Sequence, residues 1–181
     1  LDLSLSSCEI KRPVVTTAGV EGWEKGWTSD GTWSVRRGGG LVLYRPTPNG
    51  GTFAFTVIQT AGGGFLRGRQ LEWVVDYIDD RNYLLFRLDK EYLRRIQCVN
   101  GRRTELARVA HGLPMREFLG ATLQVDILPG GVTHKVRKGK DWVVMDTWSV
   151  PGRDPSAGRF GFWIQGRDEV RLSDFTFYPS K

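Results

Sequence analysis

The chain has 181 residues, of which 40% are hydrophobic, 25% charged and 12% aromatic, with seven tryptophans and a net charge of +6. That length suits one domain able to bury a core without metal or disulfide staples, and the composition excludes intrinsic disorder. No run approaches the ~18 uncharged apolar residues of a helical membrane span. Arginine outnumbers lysine 19 to 7, but the positive charge is spread along the chain, and Arg36-Arg37, Arg94-Arg95 and Arg102-Arg103 are too short for a polybasic tail. The chain opens on Leu1 without a signal pattern and is expected to be processed or part of a larger protein. Cys8 and Cys98 are too few for a disulfide scaffold. They form either one bridge or two separate buried thiols.

In chain order, the predicted elements are strands. Gln70–Ile78 sets Leu71, Trp73, Val75 and Tyr77 against Glu72, Val74, Asp76 and Ile78. Asn82–Asp89 alternates Leu84, Phe86 and Leu88 with Tyr83, Leu85 and Arg87. Ala121–Leu128 puts Leu123, Val125 and Ile127 opposite Thr122, Gln124 and Asp126, and Arg159–Gln165 puts Phe160, Phe162 and Ile164 opposite Gly161, Trp163 and Gln165. A period of two, rich in β-branched and aromatic residues, marks half-buried antiparallel strands. Turn signals separate them, among them Pro48-Asn49-Gly50-Gly51, Asp79-Asp80-Arg81-Asn82, Asn100-Gly101 and Pro129-Gly130-Gly131. Leu113–Leu119 alone could hold a helical turn. The expectation is an all-β, two-sheet antiparallel sandwich, a jelly roll of about 12 strands. Residues 1–19 form an N-terminal extension, 20–178 the domain and 179–181 a tail.

The order of motifs resembles a known superfamily. Gly26-Trp27, Trp33-Ser34-Val35, Gly40-Leu41-Val42-Leu43, the run Asp80-Arg81-Asn82-Tyr83-Leu84-Leu85-Phe86 and the Val99-Asn100-Gly101 hairpin are similar to concanavalin A-like lectin/glucanase domains of the laminin-G-like branch. The close, Gly158-Arg159-Phe160-Gly161-Phe162-Trp163 and then Val170 to Phe177, is similar to that superfamily and to its bacterial 3-keto-glycoside hydrolase-like domains. The resemblance spans roughly residues 20 to 178. It implies a jelly roll whose concave face often holds carbohydrate, in a bacterial protein working in the periplasm or outside the cell.

The glucanases of this superfamily carry an acidic strand motif. The nearest analogue here, Glu72-Trp73-Val74-Val75-Asp76, lacks the middle acid. Two-carboxylate glycoside hydrolysis is therefore not indicated, although Asp126 and Asp146 could meet across strands. His111 and His134 lie in no nucleophile context, and His134 alternates with inward valines as a core histidine does. The resemblance also raises calcium, for which Asp79, Asp80 and Asn82 offer oxygen donors, with Arg81 opposing a dication. Turn formation explains the same residues.

The binding reading rests on tryptophan and arginine. If the regular apolar positions face the core, Arg87, Gln124, Asp126, Trp163 and Gln165 lie opposite, joined by Tyr83 and Gln97, as one aromatic platform with polar hydrogen-bonding groups. In the competing reading, Trp163 only covers the sheet beneath a loop. Trp23, Trp27, Trp33, Trp73, Trp142 and Trp148 are assigned to core or rim packing. No nucleic-acid motif accompanies the arginines around Asn100-Gly101, where acids are interleaved. The sequence therefore points to a non-catalytic module for a glycan or polysaccharide, acidic ones included. A glycoside hydrolase of the 3-keto type and a protein-docking domain are the alternatives.

Overall fold

The computed structural model describes residues 25–31, 33–44, 50–61, 70–113, 120–149 and 151–180. These form thirteen strands and no helix: β1 Thr28–Asp30, β2 Trp33–Arg37, β3 Gly40–Leu43, β4 Gly51–Ala61, β5 Leu71–Asp79, β6 Asn82–Leu88, β7 Tyr92–Val99, β8 Arg102–Ala110, β9 Ala121–Leu128, β10 Gly131–Lys138, β11 Asp141–Ser149, β12 Arg159–Ile164 and β13 Glu169–Pro179. Two antiparallel sheets pack as a sandwich, one ordered β1-β2-β13-β4-β9-β10-β11 and the other β3-β12-β5-β6-β7-β8. Cys8, Trp23, Gly62–Gly64 and Pro114–Leu119 lie outside the described residues. The question of a Cys8–Cys98 bridge lies there too.

The core fills from both inner faces. β5 contributes Leu71, Trp73 and Val75, β6 Leu84, Phe86 and Leu88, and β12 Phe160, Phe162 and Ile164. The facing sheet supplies Phe53, Phe55 and Val57 from β4, alternate residues of β9 and β10, and four residues of β13. Phe53 stacks on Phe160 with ring centroids 4.0 Å apart, and Phe55 meets Phe162 edge to face at 5.0 Å. Such ring pairs add about 0.5–1.5 kcal/mol each beyond the area they bury. Of the tryptophans, Trp27 and Trp73 are buried and Trp148 packs half-buried against the core, whereas Trp33 and Trp142 are exposed at the rim.

Two strands, β5 and β13, change phase at an aspartate with positive φ. In β13, Val170 and Leu172 point inward and so do Phe175 and Phe177. An irregularity between Ser173 and Thr176, with Asp174 at φ 54°, shifts the alternation by one residue. In β5, Asp76 at φ 51° does the same. Tyr77, expected on the inner face with Leu71, Trp73 and Val75, therefore lies on the outer face among Val74, Tyr83 and Trp163. The Asn100-Gly101 turn has φ of 52° and 82°, as a type I′ hairpin requires.

Candidate functional site

The outer face of the six-stranded sheet has an apolar floor. Val74, Tyr83, Leu85, Ile96 and Cys98 are buried there, with Leu41, Leu43, Tyr77 and Trp163 packed against them. Among the described residues Cys98 pairs with no other cysteine. Gly161 makes room in β12, because a Cβ there would lie 2.2 Å from the carbonyl oxygen of Val42 on neighbouring β3.

On this floor stands a cluster of rings and guanidinium groups. Trp163 is half-buried, and its ring lies 5.5 Å from that of Tyr83. The Arg103 guanidinium sits over Trp163, 4.6 Å from the ring centroid, and its Nε donates to the Tyr83 hydroxyl at 2.7 Å. Burial pushes the Tyr83 phenol above its ordinary range, and Arg103 opposes that rise. Tyr83 stacks on Tyr77 at 5.9 Å, and Arg159 lies over Tyr77.

Beside the rings, Glu72 is buried and gives up both oxygens. Oε1 accepts from Arg87 Nε, and Oε2 from Gln165 Nε2 at 2.7 Å. Burying a carboxylate costs free energy unless charge and hydrogen bonds compensate, and here both do. Asp76 is also buried and accepts from Arg153 Nε in the loop between β11 and β12. Burial raises its pKa above the ordinary carboxylate value, and Arg153 only partly offsets that. Further along the sheet, Arg94 and Arg108 flank the Tyr92 ring, and both bond to Glu105.

The predicted residues divide among three surfaces. Trp163, Gln165, Arg87 and Tyr83 come together on this face. Gln97 does not join them: it is opposite Leu84 in the β6–β7 register and so shares the inter-sheet side. Gln124 and Asp126 lie on the outer face of the other sheet, because their strand β9 pairs with β4 and β10. There, Asp126 accepts from Thr52 and Gln124, both at 2.8 Å, and pairs with Lys135 at 2.7 Å. Burial opposes ionisation of Asp126, but these partners outweigh it and hold its pKa below the usual value. Asp126 and Asp146 do not meet, since Asp146 points inward beside His134.

The calcium candidates serve the hairpin. Asp79 accepts from the Arg81 amide at 2.8 Å and from the Asn82 side chain, while Asn82 Oδ1 accepts from the Asn100 amide. Asp80 is exposed in the same turn. Among the described residues no three His, Cys, Asp or Glu side chains group as metal ligands do.

Contributors to the face outside the predicted binding set include Glu72, Tyr77, Arg103 and Arg159. Alternation already places Glu72 with Arg87 and Trp163, so it is within reach of the sequence. Tyr77 was hidden by the phase change at Asp76. Arg103 depends on the β7–β8 register that sets it opposite Cys98.

The sequence matches no protein-family model and no curated protein. Solved structures do resemble the fold. The carbohydrate-binding module CBM66 from Bacillus subtilis aligns with a TM-score of 0.58 at 18% identity, covering 84% of this chain and 94% of that one. A mutant of the GH43 protein BlXynB from Bacillus licheniformis gives 0.60 at 12% identity over 86% of this chain but only 35% of its own. Sheep galectin-11 gives 0.53 at 10% identity, covering 76% of this chain and 96% of that one. At such identities the likeness concerns the fold. The chain is a two-sheet β-sandwich of the kind seen in these lectin and glycosidase structures.

Proposed function

We propose that this domain is a non-catalytic carbohydrate-binding module that holds a glycan on the outer face of its six-stranded sheet, with Trp163 as the platform. The observation that carries this reading is the half-buried Trp163 ring beside the fixed Glu72–Arg87–Gln165 cluster. Sugar rings present apolar C–H faces to an aromatic ring, while neighbouring hydroxyls need polar groups held in place. The sandwich shared with a carbohydrate-binding module and a galectin supports the same reading. Binding is favoured over hydrolysis because Glu72, the carboxylate nearest Trp163 on the face, gives both oxygens to Arg87 and Gln165.

A glycan-array screen read with tryptophan fluorescence tests this. Saturable binding is expected, weakened at least about tenfold by Trp163→Ala and less by Trp163→Phe. Binding that Trp163→Ala leaves intact, or no binding to any glycan, would overturn the proposal.

A further inference from the structure

Charge on the outer face of the six-stranded sheet is not balanced. Arg87, Arg94, Arg103, Arg108 and Arg159 are set against three carboxylates, Glu72, Asp89 and Glu105. Each carboxylate is already engaged. Glu72 bonds to Arg87 and Gln165, Asp89 to Arg94 and two backbone amides, and Glu105 to Arg94 and Arg108. Among the described residues, Arg103 and Arg159 have no carboxylate within ion-pair distance and lie on rings instead, Arg103 over Trp163 and Tyr83, Arg159 over Tyr77. Because Tyr77 and Tyr83 stack, the two guanidinium groups cap opposite ends of one aromatic ladder.

This arrangement selects by hydrogen-bond type. A guanidinium has five N–H donors and no acceptor, and Arg103 commits its Nε to Tyr83. The carboxylates that would accept from neutral sugar hydroxyls are taken by arginines. What remains on offer is donors beside a ring, which suits a ligand made of acceptors. The planar fork matches a carboxylate or a sulfate in two-point contact.

We infer that the ligand of this face is an anionic glycan, with one acidic group meeting Arg103 beside Trp163 and another reaching Arg159. The inference rests on the carbohydrate-binding reading above and names the class of glycan.

The test titrates the domain with polygalacturonate, dextran sulfate, neutral dextran and oligo(dT), following tryptophan fluorescence and calorimetry, alongside the glycans of the array. One or both acidic polysaccharides should bind, which of them separating carboxylate from sulfate recognition. Affinity should fall as NaCl rises from about 50 to about 500 mM. Arg103→Gln and Arg159→Gln should each weaken binding at least about tenfold, whereas Arg137→Gln, at the end of β10 on the other sheet, should not. Circular dichroism checks that the variants fold. A neutral glycan bound equally well by Arg103→Gln would overturn this inference and leave the carbohydrate-binding reading standing. Equal weakening by Arg137→Gln would show diffuse charge attraction and overturn it as well. Preference for oligo(dT), or no binding to any probe, would overturn both.

Discussion

Trp73 donates its indole N–H to Nε2 of His134 across the sandwich at 3.1 Å. That bond makes Nε2 an acceptor, so neutral His134 carries its proton on Nδ1, facing Asp146 Oδ2 at 3.8 Å. His134 is completely buried, and burial holds its pKa below the ordinary 6.5, with Asp146 opposing the shift. As pH falls below about 6.5, the unfolded chain takes up a proton that the folded chain refuses. Stability should therefore fall by up to about 1.4 kcal/mol per pH unit. The carboxylates with lowered pKa, Asp79, Asp89, Glu105, Asp126 and Glu169, bring their own loss only near and below their ordinary values of 3.8 to 4.5. Asp76, with its raised pKa, runs the other way. Urea unfolding of wild type and His134→Gln between pH 7 and 5 checks this: the slope should flatten in the variant.

Removing Arg153 should cost more than neutralising its partner. Arg153→Ala leaves the Asp76 carboxylate buried without its cation, a loss of about 3 kcal/mol, or about 6–12 °C in Tm. Asp76→Asn removes the charge and keeps a residue type that tolerates positive φ, so it should cost less. The double variant should resemble Asp76→Asn. Thermal melts of all three give the coupling.

At Gly158 a Cβ would fall 2.4 Å from the carbonyl carbon of Asp76 and 2.5 Å from its Cα. Backbone cannot yield as a flexible side chain can. Gly158→Ala is expected to destabilise the domain by about 1–3 kcal/mol. It should also weaken ligand binding, because the segment it displaces leads directly into Arg159. Calorimetric melting and the polysaccharide titration read the two effects separately.

The Asn100-Gly101 turn is open to a simpler check. Both residues have positive φ, so Gly101→Ala should lose about 1–2 kcal/mol. Asn100→Ala should lose a similar amount, while Asn100→Gly should be nearly neutral. Chemical denaturation with an unchanged m-value would confirm that only the turn is affected.

Alternation made the strands readable, and hence the fold class and most of the core. It states which face a residue takes within its own strand but not which sheet that strand joins. Gln124 and Trp163 both point away from the core, and pairing of β9 with β4 rather than with β12 sends them to opposite sides of the sandwich. Gln97 was misplaced for a related reason: only its register against Leu84 reveals its face. Tyr77 was hidden by one aspartate with positive φ, a local event with no clear signature in residue type. Non-local pairing and local backbone reversal are the two things that period-two patterning does not encode.

Strand β13 lies between β2 and β4, pairing Glu169 with Arg37 on one side and Phe177 with Phe53 on the other. The first strands therefore have no place in their sheet until residues 169–179 exist. Completing it requires closing loops of more than a hundred residues, an entropic cost that comes before the contacts that offset it. The domain should refold slowly for its size, and during synthesis its larger sheet cannot close before residues 169–179 have been made.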